Sequence, residues 1–247
     1  MQTEEYLKLA AVEDQMWYFR SLHAQVEREL AKRLRGPAAV LDAGCGTGGL
    51  IRRLTAGAAP WKWSGVDLSP LAIELARQRC PAGTDLREAS VTALPLADGT
   101  CDAVIAADVL YHVEDDAAAL AEFFRVLRPG GVVILNLPAY RWLWSYHDIA
   151  VHARRRYGRG EVLEKLRVAG FGEGQATYWN TLPFPLIVMR RKLLPAPKEG
   201  SDVRLYAPPL EAAFNAMMAV EQAWISRVGR LPFGCSVFAV AVKPGNK

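Results

Sequence analysis

Apolar positions follow two rhythms along the 247 residues. From 3 to 34 they recur every three to four positions (Tyr6, Leu7, Ala10, Ala11, Met16, Trp17, Phe19, Leu22, Val26, Leu30, Leu34), which predicts helix with one buried face, stopped by Gly36-Pro37. Short apolar runs then alternate with helical stretches. Strands are expected over 38–42, 61–67, 84–89, 101–107 and 132–137, with helices over 48–56, 70–80 and 115–127. The run 101–107 is nearly all apolar, as a strand buried on both faces should be. A loop over 138–158, a helix over 160–169 closed by Gly170, and strands over 174–180 and 235–242 complete the chain. This alternation predicts an α/β fold built on a parallel sheet.

Residues 181–234 separate the last two strands by far more than an ordinary connection. They hold an apolar stretch, 181–189, then Arg190-Arg191-Lys192, a linker rich in Pro, Gly and charge over 195–209, and a helix over 210–228. The loop 138–158 is crowded with aromatics and bases, among them Tyr146, His147, His152 and Arg154–Arg156. The expected organisation is one domain, 1–247: a helical cap (1–36), a core (38–180 plus 235–243) and a helical lid (181–234) over the substrate pocket.

The stretch Val40-Leu41-Asp42-Ala43-Gly44-Cys45-Gly46-Thr47-Gly48-Gly49 reads as a strand end, a tight glycine turn and a helix start. About twenty residues later a second strand ends in Asp67, the acid that takes ribose hydroxyls in a nucleoside-binding βαβ unit. Gly44, Gly46 and Gly49 also fit the dinucleotide pattern, and a ligand-free glycine turn is the bland alternative. Asp42 argues against a dinucleotide, because a carboxylate facing a pyrophosphate in a partly desolvated turn is costly. A ligand with an ammonium and a sulfonium near its ribose suits that carboxylate.

These residues resemble the class I S-adenosylmethionine (SAM)-dependent methyltransferases, and the likeness extends over roughly 38–137. Asp42, Gly44, Gly46 and Gly48 match their glycine motif, and Asp67-Leu68-Ser69-Pro70 their ribose acid and adenine-packing residue. Leu94-Pro95-Leu96 with Asp98-Gly99 and Cys101-Asp102-Ala103-Val104 matches a third motif, and Arg125–Gly131 the turn before their fifth strand. The resemblance implies a Rossmann-like, doubly wound, seven-stranded, mostly parallel sheet of order 3-2-1-4-5-7-6, with helices on both faces and a helical insert before the last strand. It implies SAM as cofactor and S-adenosylhomocysteine as product, held by Asp42, Gly44, Gly46, Gly48, Asp67, Leu68, Ala107 and Ser90, the last where the family usually has Asp. Asp108 would lie near the transferred methyl group. Glu13–Arg20 is similar to an N-terminal signature of a subgroup related to the ubiquinone-biosynthesis O-methyltransferases. That likeness places Arg20 near the methionine carboxylate and Trp17 and Tyr18 over the pocket. The same subgroup suggests His112, His147 and Asp148 as catalytic residues, with Tyr111, Tyr146 and His152 on the substrate side. Its metal-associated Glu is Tyr111 here, so no metal is expected.

The implied activity is in-line methyl transfer to a small-molecule or lipid-linked acceptor, with oxygen favoured over nitrogen and a histidine as general base. Two other classes stay open: a catalytically silent scaffold of this fold, and an NAD-dependent oxidoreductase. Net charge is only +4, with pI ≈ 8.9, too mild to imply nucleic acid. The four cysteines show no metal or disulfide spacing, the N-terminus lacks a signal-peptide pattern, and no apolar run reaches a membrane span. A cytoplasmic protein is expected, with peripheral contact on the inner membrane face through 181–194 where bases flank apolar sequence. Oligomeric state is not encoded legibly.

Overall fold

The computed structural model describes residues 3–196 and 201–245. Seven strands form one sheet: β1 (Ala38–Ala43), β2 (Trp61–Asp67), β3 (Asp85–Glu88), β4 (Cys101–Ala107), β5 (Leu127–Pro138), β6 (Gln175–Trp179) and β7 (Ser236–Val242). Their order is β3-β2-β1-β4-β5-β7-β6, as the sequence implied. The first five strands pair in parallel, and β7 runs antiparallel to both β5 and β6. The chain winds outward from β1 to β2 and β3, then returns to β4 on the other side. That reversal opens a crevice at the carboxyl ends of β1 and β4.

Strand residues alternate between two cores because successive side chains point to opposite faces. Val40, Ala103, Ile105, Ile134, Phe238 and Val240 pack on one face against α2 (Trp17–Arg33), α3 (Gly49–Thr55) and α4 (Pro70–Arg79). Leu41, Val104, Val133, Leu135 and Ala239 pack on the other against α5 (Asp116–Val126) and, further along the chain, the helix Arg159–Val168.

Three parts of the chain differ from the sequence reading. The helical run over 3–34 breaks into α1 (Thr3–Val12) and α2, because Glu13 turns inward to Thr47 Oγ1 and Arg79. The fifth strand begins earlier, at Leu127, because Gly130 N–H and Gly131 C=O are zipped to Lys243 (both 2.8 Å). The expected loop 138–158 contains a short helix, α6 (Tyr146–Ala150), capped where Asp148 accepts the Ser145 N–H at 2.8 Å. Helices α7 (Arg159–Val168), α8 (Phe184–Val188) and α9 (Pro208–Val228) follow. Of the expected linker 195–209, residues 197–200 lie outside those described.

The insert is built into the core. Phe214 and Met218 of α9 are buried in the same core as α2, and each such side chain contributes about 1.5–3 kcal/mol relative to exposure. Arg28 of α2 donates to Gln222 Oε1 (2.6 Å) and Ser226 Oγ (2.7 Å), so α2 and α9 form one layer. Glu221 accepts the backbone N–H groups of Asn180, Thr181 and Leu182 (2.6, 2.8 and 3.1 Å), which fixes the exit from β6.

Candidate active site

The glycine turn follows β1. Gly44, Gly46 and Gly48 take φ of +83°, +52° and +81°, a region that disfavours side chains. Gly44 and Cys45 both donate to Val66 C=O (2.8 and 2.9 Å), folding the turn onto β2. A Cβ on Gly44 would strike Val109, and one on Gly48 would come within 2.6 Å of Cys80 Sγ. Both are therefore glycines for packing as well as for conformation. Asp67, ending β2, accepts the N–H groups of Gly46 (3.0 Å) and Ser69 (2.9 Å) and the Tyr6 hydroxyl (3.4 Å).

A cavity of about 830 Å³ runs from this turn to the insert. Asp42, Gly44, Gly46, Asp67, Leu68, Ser90 and Ala107 line its near half, with Tyr6 and Leu9 of α1 above them. Asp42 is 2 % exposed and its carboxylate accepts no hydrogen bond among the described residues. Burial pushes it up to about 8, and the charges of Asp67 and Glu13 push the same way. A buried carboxylate with acids for neighbours and an open side toward a cavity is matched by a cation. Ser90 Oγ shares a hydrogen bond with Thr92 Oγ1 at 2.7 Å. Gly48 and Arg20, two of the expected cofactor residues, do not line the cavity. Gly48 turns beneath the loop as the cap of α3, and Arg20 is exposed on the outer side of α2.

Trp17, Tyr18, Tyr111, His112, His147 and Asp148 line the far half. Their partners divide their chemistry. His112 Nδ1 lies 3.3 Å from the His152 carbonyl, which can only accept, so Nδ1 carries the proton and Nε2 keeps its lone pair. Nε2 is buried and has no partner among the described residues. His147 is the reverse: its Nδ1 accepts the Asp202 N–H at 3.1 Å, leaving Nε2–H as a donor. Burial, first of all, brings both imidazoles down to about 4, so both are neutral near pH 7.

Asp148 reaches the cavity wall but is committed to Arg156, with contacts of 2.6 and 3.0 Å in a pair exposed by only 1–2 %. Both carboxylate oxygens are thus taken up by Arg156, with Ser145 N–H on one of them, where the sequence reading expected a catalytic part. Arg156 likewise is buried and not part of a solvated basic face. Tyr146 and His152 stand outside the cavity lining. Tyr146 donates to Asp202 (2.6 Å), which also binds Arg191 (2.7 Å), and His152, at φ +55°, acts on His112 through its carbonyl.

Asp108 had a place in the sequence reading but no partners. It follows β4 at φ +58°, and its carboxylate takes hydrogen bonds from Tyr18 Oη (2.7 Å) and Asn136 Nδ2 (2.9 Å). Trp179 Nε1 in turn donates to Asn136 Oδ1 at 2.7 Å. Burial raises Asp108 to about 7. A polar residue directly after a nearly all-apolar strand was the available signal. Nothing in the sequence pattern paired Asn136 and Trp179 with it. Arg191 and Asp202 came from the insert and were also unforeseen. Among the described residues no cluster of three or more His, Cys, Asp or Glu is placed to hold a metal ion.

Comparison with known proteins agrees with this geometry. Residues 41–135 match the model of the methyltransferase domain family. The chain is 34% identical over 168 residues to a probable S-adenosylmethionine-dependent methyltransferase of Mycolicibacterium smegmatis, covering 64% of this chain and 60% of that one. It is 35% identical over 177 residues to the malonyl-[acyl-carrier protein] O-methyltransferase of Serratia marcescens, covering 66% of each. The chain thus matches somewhat under two thirds of the length of these relatives. Among solved structures, a SAM-dependent methyltransferase from Thermotoga maritima shares the fold, with a TM-score of 0.58 at 20% identity over 97% of this chain and 95% of the other. Residues 41–135 thus carry a methyltransferase domain, and the glycine turn with its two acids and the sheet order make the chain similar to the class I S-adenosylmethionine-dependent methyltransferases.

Proposed function

We propose that the protein transfers a methyl group from SAM to a hydroxyl of a small-molecule or lipid-linked acceptor. The observation that carries the cofactor half is Asp42: a buried carboxylate, unpartnered on its cavity side, that a ligand ammonium would complete. Asp67 retains lone pairs for ribose hydroxyls beside its contacts to Gly46 and Ser69, Leu68 would pack on adenine, and Ser90 and Ala107 border the same space. When bound, SAM supplies a methyl carbon activated by its sulfonium. The chain's own work is alignment, exclusion of water and removal of the acceptor proton. His112 suits the last task, since its Nε2 lone pair is unclaimed and its orientation is held by His152. His147 offers an Nε2–H donor and Asp108 a carboxylate beside Ala107.

No described helix is long and apolar enough to cross a membrane. The reading extends to a cytoplasmic protein that touches a membrane surface through 181–194. There Leu182, Leu186, Met189, Leu193 and Leu194 are exposed, beside Arg190 and Lys192. Calorimetry with SAM and with NADH tests the cofactor: SAM binding that Asp42→Asn weakens, with no NADH binding, is expected, and the opposite preference overturns the reading.

A further inference from the structure

Beside the large cavity lies a second, smaller pocket of about 290 Å³, lined by Arg141, Trp144, Arg154, Arg155 and Arg156. Four of these five residues are arginines and none is acidic. Arg154 and Arg156 also line the large cavity, so the two spaces share a wall. Gathering like charges is costly unless acids nearby offset them, and here the offset is incomplete.

The run Arg154–Arg156 is held by its backbone. Arg154 N–H donates to Tyr111 C=O and Tyr157 N–H to Pro138 C=O (both 2.9 Å), which pins the run between the turn after β4 and the end of β5. Arg156 is 2 % exposed and fully engaged, with Asp148 on one side and Ala139 C=O on the other (2.9 Å). The other three are paired more loosely. Arg141 meets Glu161 at 3.2 Å and Arg154 meets Glu114 at 3.5 Å, through arginine side chains 79 % and 53 % exposed, where solvent screens the attraction. Arg155 meets Asp116 at 3.3 Å, but Asp116 already accepts from Lys165 and from the Tyr157 hydroxyl (both 2.8 Å). One carboxylate thus serves two cations. Lys192 of the insert adds a further charge, its Nζ donating to Trp144 C=O at 2.8 Å.

We infer that this pocket is a binding site for a phosphate group. One guanidinium fork suffices for a carboxylate, as Arg156 shows by engaging both oxygens of Asp148. Several arginines around one space suit a group with three strong acceptor oxygens and about two charges. Trp144 gives the remainder of the ligand a flat apolar wall. The site needs no SAM and stands apart from the methyl-transfer reading. A soluble phosphate ester and a phospholipid headgroup offer the same chemistry, and the pocket recognises what they share.

Phosphorus NMR titration with glycerol 3-phosphate at fixed ionic strength tests the site. Wild type should bind the ester saturably, and equimolar acetate should not displace it. The double variant Arg141→Gln with Arg154→Gln should weaken binding at least tenfold. Arg141→Gln alone, at the most exposed of the four arginines, cannot disturb the core and should give a smaller loss in the same direction. Arg167→Gln removes an exposed arginine paired with Glu164 outside the pocket and should leave binding unchanged. No saturable binding by wild type, displacement by acetate, unchanged affinity in both pocket variants, or an equal loss in Arg167→Gln overturns the inference. Co-sedimentation with phosphatidylglycerol vesicles then names the source. Vesicle binding lost in the double variant supports a lipid headgroup, and sedimentation that is equal for both proteins, or absent, supports a soluble ester.

Discussion

The Tyr18 hydroxyl donates to the Asp108 carboxylate at 2.7 Å, joining the N-terminal cap to the end of β4 across 90 residues of sequence. Asp108 is held at about 7 by burial, which raises it, against the hydrogen bonds of Tyr18 and Asn136, which favour the ionised form. Tyr18→Phe removes one of those donors. The loss should fall on the charged carboxylate, about 1.5–3 kcal/mol, and be felt more at pH 8 than at pH 5. Denaturant unfolding of both proteins at the two pH values checks this, and an equal loss at both would refute it.

Asp42 makes cofactor affinity depend on pH. Its folded value, about 8, lies above the ordinary carboxylate range, so the empty protein holds a proton there through neutrality. The sign follows from linkage: empty-state stability falls as pH rises from about 4 through 8, and a bound cation reverses the preference. SAM affinity should therefore climb with pH up to about 8, with a proton released on binding. Asp42→Asn should flatten that climb and cost about 10–100-fold in affinity, a charged hydrogen bond's worth. Titrations in buffers of different ionisation enthalpy measure both effects.

The two histidines should separate in kinetics. His112 keeps a free lone pair, whereas the Nδ1 of His147 is occupied by Asp202. His112→Ala is expected to lower kcat by about 10²–10⁴-fold, the usual share of a general base, with SAM affinity unchanged. His147→Ala should lower turnover less. A larger loss in His147→Ala would exchange their roles.

Asp148 and Arg156 form a buried pair, and breaking one side of it leaves a charge stranded. Arg156→Met should destabilise by about 3–5 kcal/mol, and the double variant Arg156→Met with Asp148→Leu should recover much of that. Thermal melts of the two variants decide it; a double variant no better than the single would show that the pair's hydrogen bonds to Ser145 and Ala139 matter more than its charge.

Glu221 ties α9 to the exit of β6 through three backbone N–H groups. Glu221→Ala orphans all three and should cost at least about 2 kcal/mol, while deletion of 181–234 should prevent folding because Phe214 and Met218 leave the core with it. A soluble, cooperatively melting deletion would refute the integral role assigned to α9.

The glycine turn and its flanking acids were legible because their geometry is local in sequence. A turn needing positive φ selects glycine at Gly44, Gly46 and Gly48, and the acids Asp42 and Asp67 sit at strand ends that alternating apolar runs already locate. The same periodicity gave the strands, and the motif order their arrangement. What the tertiary structure decided is everything that depends on which polar atoms meet. Asp148 is a catalytic candidate by sequence and an ion-pair partner in space, because Arg156 folds back onto it. His112 and His147 look alike along the chain, yet a carbonyl beside one ring and an N–H beside the other give them opposite tautomers. Asn180 carries no motif at all. Glu221, 41 residues away, and Ser236, 56 residues away, take its backbone N–H and its amide nitrogen and leave its Oδ1 without a partner among the described residues. Backbone conformation and hydrophobic rhythm are written residue by residue, whereas hydrogen-bond satisfaction is a property of neighbours that only folding brings together.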